Sequence, residues 1–170
     1  MIHNFQVEDE GLLLRPLSAD DLELVRNWRN KDHIRSAFIN KSLISSEQQK
    51  NWFSQYCEKT DDIMFIIEEK QQSIPVGTVS VYDINKEKRN AQFGRFFIGE
   101  PNASRKGYGR RSLNLVCEFA LKFLQIEELY LEVIETNEKA FNLYLQNGFQ
   151  VISNSNKNGL NLVYMIKKMS

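Results

Sequence analysis

Apolar residues along this chain form short runs that alternate with segments of helical spacing. Runs rich in aliphatic and aromatic residues are typical of strands, and they lie at 11–18, 62–69, 74–84, 89–99, 129–135, 149–153 and 161–169. Apolar positions three and four residues apart predict helices, and these lie at 18–30, 45–59, 113–124 and 137–148.

This order predicts a mixed α/β fold. The strands at 62–69, 74–84 and 89–99 follow one another through short turns, which indicates an antiparallel meander. The helix between the strands at 89–99 and 129–135 indicates a parallel crossover. No internal repeat or low-complexity linker interrupts the chain, so we expect one domain over residues 1–170.

Charge and composition exclude several classes of protein. Lys+Arg and Asp+Glu both number 22, and this balance argues against a nucleic-acid-binding protein. The two cysteines and two histidines are too few for a disulfide framework or a histidine-based metal cluster, so no metal is expected. The acidic N-terminus does not resemble a signal peptide, and no apolar run is long enough to span a membrane. These features predict a cytoplasmic protein without a membrane partner.

The stretch "NASRKGYGRRS" at 102–112 predicts an anion site. Two glycines and four cations stand directly before a helix, where unpaired main-chain N–H groups and the helix dipole favour a phosphate. The spacing excludes a Walker A loop and matches a dinucleotide fingerprint poorly, because position 112 is Ser. If this stretch is considered without the rest of the sequence, a surface loop with solvated charges is the alternative interpretation.

A second segment, "LEVIETNEKAFNLYLQNGF", follows about thirty residues later. Together the two segments resemble the GCN5-related N-acetyltransferase (GNAT) superfamily, which pairs Arg/Gln-x-x-Gly-x-Gly/Ala with Asn-x-x-Ala-x-x-x-Tyr-x-x-x-Gly-Phe. The second motif is complete, whereas the first begins with Ser104 and has its cation at Arg105. The resemblance implies a mostly antiparallel sheet of about six to seven strands, about four helices and a parallel pair splayed around the cofactor.

The implied cofactor is acetyl-CoA, the acyl donor of the family. Its pyrophosphate is expected on the main-chain N–H groups of residues 105–110. A main-chain N–H at the end of the preceding strand is expected to polarise the thioester carbonyl, and Asn137 is expected to reach the pantetheine arm or simply to cap its helix. The cofactor-binding candidates are therefore Phe97, Ile98, Gly99, Arg105, Lys106, Gly107, Tyr108, Gly109, Arg110 and Asn137.

Acetyl transfer to an amine needs a neutral amine, a polarised carbonyl and a protonated leaving thiolate. Tyr144 is the expected general acid, as the family position implies; a core tyrosine on a helix stripe is the alternative. Glu132 lies in an apolar strand and is a candidate base, direct or through water, although an exposed strand edge would explain it equally well. Ser80, on a neighbouring strand, is a candidate for binding substrate or a relay water.

The acceptor amine is predicted from the first two helices and their loop. "W-R-N" and "W-F" in this segment resemble the branch that acetylates nucleotide-linked 4-amino sugars, so that Arg26, Arg29 and Arg35 would meet a diphosphate and Trp28 or Trp52 would stack on a ring. Protein N-terminal amines, including those of ribosomal proteins, polyamines and aminoglycosides are alternatives. A CoA-binding sensor is the non-enzymatic alternative. Either a monomer or a homodimer fits the sequence.

Overall fold

The computed structural model of the chain describes residues 1–103 and 106–170. Its strands are β1 (Val7–Glu8), β2 (Leu12–Pro16), β3 (Ile63–Glu69), β4 (Ile74–Asn85), β5 (Asn90–Ile98), β6 (Glu128–Ile134), β7 (Gln150–Lys157) and β8 (Leu160–Lys168). They form one eight-stranded sheet in the order β1-β2-β3-β4-β5-β6-β8-β7. Every pair is antiparallel except β5–β6.

Helices cover both faces of this sheet. Side chains of β3 alternate between two hydrophobic clusters, since Phe65 packs in one and Ile66 in the other. Burial on both faces explains why this strand is a continuous apolar run in the sequence. The helices are α1 (Leu22–Asn30), α2 (Asp32–Arg35), α3 (Ser46–Glu58), α4 (Tyr108–Leu124) and α5 (Glu138–Gln146), with α1, α2 and α3 over one face and α4 and α5 over the other.

Local capping chemistry fixes several helix ends. The side chain of Ser45 accepts a hydrogen bond from the Gln48 N–H (3.1 Å) and begins α3. Asn137 caps α5 in the same way through the Ala140 N–H (3.3 Å). Gly148 follows α5 with φ +89°, a left-handed conformation that favours glycine.

The predicted mixed α/β class is confirmed, including the parallel crossover β5–α4–β6. In the described part of the chain, one additional strand and one additional helix appear, β1 and α2, because elements of two and four residues show no hydrophobic period. The last hairpin is longer than predicted, with its turn at 158–159 rather than 154–161. Asn156 there donates a side-chain hydrogen bond to Asn161 (2.7 Å), which supports pairing in a stretch of low strand propensity.

The sheet splays open between its two parallel strands. β5 and β6 pair only over residues 90–92 and 128–130. Beyond that point β5 continues to pair with β4 alone and β6 with β8 alone. The resulting gap lies beside the beginning of α4, which follows β5 in the chain, and it is where the site described below is built.

Candidate active site

A cavity of about 800 Å³ occupies the gap between β5 and β6. The end of β5, the first turn of α4, the second half of β6 and the inner side of α5 all line it. Most of the predicted cofactor-binding and catalytic residues line this one cavity. They are Phe97, Ile98, Gly99, Gly107, Tyr108, Gly109, Arg110, Glu132, Asn137 and Tyr144. Lys106 is exposed outside this lining, and Arg105 lies outside the described residues.

The beginning of α4 has the features of an anion-binding helix terminus. Gly107 adopts φ +74° and lets the chain turn into the helix. The Arg111 N–H donates back to the Gly107 carbonyl (3.1 Å), so the N–H groups of residues 108–110 precede the first helical hydrogen bond. A Cβ built at Gly109 would come 3.6 Å from Phe96 Cζ and 3.8 Å from Leu143 Cδ2, both on side chains that line the cavity. The residues present therefore fit a bound diphosphate.

The cations around this turn have different partners. Arg111 forms an ion pair with Asp9, before the start of β2, and so ties the N-terminal hairpin to α4. Burial opposes ionisation of Asp9, but hydrogen bonds from Arg111 and from the Gly11 and Leu12 N–H groups outweigh it and lower the pKa of Asp9 to about 2. Arg110 has no ion pair among the described residues, and of the described cations at this turn it is the one that lines the cavity.

Tyr144 is enclosed by aromatic rings of the sheet and of the segment after α5. Its ring centroid lies 5.9 Å from that of Phe93 and 5.6 Å from that of Phe149. Burial raises the pKa of the Tyr144 phenol above its usual range, so the hydroxyl keeps its proton at neutral pH. A protonated phenol beside the cavity is the state that a general acid requires.

Among the candidate N–H groups at the end of β5, that of Gly99 is already in use. It donates to the Val76 carbonyl at 2.7 Å. A Cβ at this position would come within 2.3 Å of the Trp28 ring, so the glycine is required by packing. The Gly99 N–H is therefore occupied in the sheet, and Phe97 and Ile98 are the preferred candidate donors to a carbonyl, a role that stays a prediction.

Asn137 uses only part of its hydrogen-bonding capacity as a helix cap. Its Oδ1 accepts from the Ala140 N–H, while its Nδ2 group donates no hydrogen bond within the described part of the chain. The residue lines the cavity. Capping and contact with a pantetheine arm are therefore compatible.

Two predicted catalytic residues have surroundings that differ from expectation. Glu132 lines the cavity but forms an ion pair with Lys157 (2.8 Å), and 24% of its side chain is exposed, so it does not lie among apolar groups alone. Ser80 is fully buried in β4, lines neither of the cavities described here, and its Oγ has no hydrogen-bond partner among the described residues. This position does not favour direct contact between Ser80 and a substrate, and a role in binding substrate or a relay water stays a prediction.

A second, smaller cavity of about 340 Å³ adjoins the first, because Arg29, Phe38, Asn40, Arg95 and Phe97 line both. Of the acceptor-binding candidates from the first two predicted helices, the structure places Arg29 and Trp52 at this cavity.

The other candidates from this segment have structural roles instead. Trp28 is 1% exposed and donates its indole N–H to Glu100 (2.8 Å), so it is not available to stack on a ligand. Arg26 pairs with Glu23 on the surface. Arg35 pairs in the same way with Asp32, and neither arginine lines a cavity.

Arg95 is a site residue that sequence reasoning missed. It lies in β5 at an irregularity of the β4–β5 pairing and has φ +46°, a strained conformation for a residue with a side chain. Its guanidinium forms two hydrogen bonds (2.6 and 2.9 Å) with Asp62, which is 1% exposed, and lies 4.4 Å from the centre of the Tyr82 ring. A lone cation inside the apolar run "QFGRFFIG" was the available signal.

Among the described residues, no group of three or more His, Cys, Asp or Glu side chains is arranged to hold a metal ion. A search of the described helices for length and hydropathy finds none that could cross a membrane.

Comparison with known proteins assigns the family. Residues 11–150 match the model of the acetyltransferase (GNAT) domain. The spermidine N(1)-acetyltransferase of Vibrio cholerae serotype O1 is 28% identical over 138 residues, which cover 81% of this chain and 78% of that protein.

Solved structures show the same fold. A spermidine N-acetyltransferase from Vibrio cholerae, in complex with CoA and spermine, superposes with a TM-score of 0.85 at 24% identity, covering 95% of this chain and 97% of that one. FdhC, a nucleotide-linked sugar GNAT in its apo form, superposes with a TM-score of 0.84 at 26% identity, covering 98% and 91%.

The fold and the cleft define an acyl-CoA-type transferase, and the family match makes this specific. The chain belongs to the GNAT acetyltransferase family. It is an N-acetyltransferase, and acetyl-CoA is its acyl donor.

Proposed function

We propose that this enzyme acetylates the primary amine of a nucleotide-linked amino sugar by direct attack of the amine, without a covalent enzyme intermediate. The observation that carries the acceptor class is the smaller cavity. Arg29 and Arg95 line it, and none of its lining residues is acidic. Such a lining suits an acceptor with an anionic group and disfavours a polycation.

Residues of the larger cavity bind the acetyl donor and polarise its carbonyl group. The N–H groups at the start of α4, helped by Arg110, hold the pyrophosphate of the donor. Asn137 is the candidate contact to the pantetheine arm, and the main-chain N–H of Phe97 or Ile98 is the candidate donor to the carbonyl. Acetyl-CoA supplies the thioester from which the acetyl group is transferred.

Proton movement is assigned to Tyr144. Acetyl transfer forms the C–N bond and breaks the C–S bond, so the departing sulfur needs a proton while the amine nitrogen loses one. The Tyr144 Oη–H donates to the sulfur. Glu132 lines the cavity beside Lys157 and takes the amine proton through water.

Spermidine is the second candidate acceptor. It is favoured by the 28% identity with a spermidine N(1)-acetyltransferase, which extends over most of both chains. Polyamines carry several positive charges, however, and of the two acidic groups in the larger cavity Glu132 is already paired with Lys157, while Glu100 accepts a hydrogen bond from Trp28.

A thiol-release assay across acceptor classes tests the proposal. Purified protein with saturating acetyl-CoA would be assayed with amino sugar nucleotides, spermidine, spermine, an aminoglycoside and N-terminal peptides. We expect the highest kcat/KM for an amino sugar nucleotide and its loss when the nucleotide is removed from the sugar. A higher kcat/KM for spermidine than for every sugar nucleotide would transfer the assignment to the polyamine class.

A further inference from the structure

The guanidinium of Arg29 is partly buried and has no acidic partner among the described residues. Its Nη1 atom is buried and has no hydrogen-bond partner among the described residues. The neighbouring Nη2 donates to the Asn40 carbonyl (3.2 Å), and the Phe38 ring centre lies 3.5 Å from the guanidinium carbon. Burial lowers the pKa of Arg29 to about 10, and no nearby carboxylate offsets this effect.

Other arginines of this region do have acidic partners. Arg26, one helical turn earlier on α1, pairs with Glu23 at 2.7 Å, and Arg35 on α2 pairs with Asp32 at 2.5 Å. Arg95 pairs with Asp62. Because a desolvated charge destabilises a protein unless it is paired, the exception at Arg29 requires an explanation, and a ligand anion supplies one.

The position of Arg29 also supports an interaction with a ligand anion. Arg29 lines both the larger and the smaller cavity, so its guanidinium lies where the two adjoin. Tyr144 lines only the larger one. A molecule whose amine reaches Tyr144 and whose other end fills the smaller cavity must therefore pass Arg29.

The smaller cavity has the size and lining for a planar heterocycle. Its volume is about 340 Å³, and Phe38, Trp52 and Phe97 provide aromatic surface. Gln49 on α3 adds a side-chain amide, which can both donate and accept hydrogen bonds at the edge of a base, and Gln48 adds a side-chain NH₂ donor, since its oxygen already accepts from the Ser45 N–H. Aromatic faces bind bases of any type by stacking.

We propose that Arg29 binds the diphosphate of a nucleoside-diphosphate-linked acceptor, with the nucleoside in the smaller cavity and the amino sugar in the larger one. This inference rests on the proposed function and adds to it the residue that recognises the anion. Guanidinium groups favour this contact because they present several donors to phosphate oxygens at once.

Binding measurements on CoA-saturated protein test the subsite without requiring turnover. Saturation with CoA prevents nucleotides from occupying the phosphate site at α4. UDP, CDP, GDP and inorganic pyrophosphate are titrated into wild type, Arg29→Gln and the matched control Arg26→Gln, in which the replaced arginine lies outside both cavities. We expect at least one nucleotide to bind with a Kd below about 1 mM, and Arg29→Gln to weaken it at least tenfold, in line with the loss of a charged hydrogen bond.

Several results would overturn the subsite. They are the absence of binding by every nucleotide, an equal loss in Arg26→Gln and Arg29→Gln, and pyrophosphate binding as tightly as the best nucleotide. The proposed function fails separately, by an absence of heat when CoA itself is titrated or by transfer to spermidine in preference to sugar nucleotides.

A second variant separates ligand binding from a structural role. Arg29→Met keeps an unbranched apolar stem against Phe38 but removes the charge. If the charge serves a ligand, the Tm of the ligand-free variant should equal or exceed that of wild type, while nucleotide binding is lost. A lower Tm with unchanged nucleotide affinity would show that Arg29 is structural and would overturn the inference.

Discussion

At the scale of single residues, burial decides which groups are suited to chemistry. Tyr144 lies among aromatic rings and keeps its phenol protonated, whereas Glu132 reaches the same cavity but is about a quarter exposed and paired with Lys157. Arg26 and Arg29 are three residues apart on one helix, yet one is satisfied by Glu23 and the other is not. Residue type and spacing alone could not distinguish these two arginines, since the difference depends on the path of the 36–45 segment over α1.

Replacement of Tyr144 tests its role as the acid. Tyr144→Phe keeps the ring contacts with Phe93 and Phe149 and removes only the hydroxyl. We expect kcat to fall by about 10²–10⁴, the usual contribution of a positioned acid, while the Kd for acetyl-CoA changes less than about twofold. Steady-state kinetics with calorimetry measures both. Tyr130→Phe, on β6 with its ring tilted against that of Tyr164, is the control that should keep its kcat. A Tyr144→Phe enzyme as fast as this control would refute the assignment.

The Asp9–Arg111 ion pair predicts a specific dependence of stability on pH. The pKa of Asp9 lies near 2 in the folded protein, below its ordinary value, so ionisation of Asp9 stabilises the fold above about pH 4 and the benefit is lost as pH falls toward 2. Both side chains are about a third exposed, so solvent screening limits the contribution to about 1 kcal/mol or less. Asp9→Asn, which keeps a side-chain oxygen for the Gly11 and Leu12 N–H groups, should lower the Tm at pH 7 by about 2–4 °C.

Thermal unfolding of Asp9→Asn and wild type at pH 7 and pH 2.5 measures this effect. The difference between them should shrink at the lower pH, because Asp9 begins to be protonated in the native state as well. Glu87→Gln, in the exposed β4–β5 turn, serves as the control for the loss of a surface charge. A difference in Tm that is independent of pH would exclude ionisation of Asp9 as its source.

At the scale of elements, a single substitution at the beginning of α4 can test whether this turn binds the pyrophosphate of CoA. The helix follows β5 directly across the splayed pair, and its first turn contains Gly109 between the cavity-lining side chains of Phe96 and Leu143. A methyl group there would make ordinary contacts with both, so the fold tolerates it. The same methyl group would occupy space that a phosphate needs next to the main chain.

Gly109→Ala should therefore separate stability from affinity. Alanine favours a helix over glycine by up to about 1 kcal/mol, so the Tm should be unchanged or slightly raised. The Kd for CoA should rise at least about tenfold because the phosphate can no longer approach the N–H groups. Asn114→Ala, on the exposed side of the same helix, is the matched control and should leave the Kd unchanged. Equal CoA affinity in both variants would move the pyrophosphate away from this turn.

The cofactor half of the site was predictable because its signals are local in the sequence. Gly107 and Gly109 open a helix, and Asn137 and Tyr144 share one short helix with its cap. In the smaller cavity, Arg29 and Trp52 were predicted from a local motif, but Arg95 was not, because it lies 66 positions from Arg29 and the two meet only in the folded protein. The strands show the same difference between local and non-local signals. The parallel pair β5–β6 was predicted because a helix separates the two strands in the sequence, whereas β1 was missed because two residues are too few to show a hydrophobic period.

At the scale of the whole molecule, the splayed sheet with helices on both faces explains how one cleft could bind both the acetyl donor and the amine acceptor. The sheet is covered on one face by α1, α2 and α3 and on the other by α4 and α5. The splay between β5 and β6 opens the larger cavity, which adjoins the smaller one beside α1 and α3. Under the proposed function, a donor at α4 and an acceptor at α1 and α3 would meet in this cleft. Under the proposed function, residues at α4 and α5 serve the donor, while side chains from the other face select the acceptor.

This arrangement predicts that the donor stabilises the entire fold, because it would contact both sides of the gap in which β5 and β6 no longer pair. A ligand at one hundred times its Kd adds about 2.7 kcal/mol to the free energy of unfolding, which for a protein of this size raises the Tm by about 5–10 °C. Differential scanning fluorimetry with increasing acetyl-CoA measures the shift. Pantetheine, which lacks the pyrophosphate, should raise the Tm far less at the same concentration, and Gly109→Ala should respond weakly to acetyl-CoA. If pantetheine and acetyl-CoA gave equal shifts, the helix terminus at α4 would not be the main source of donor affinity.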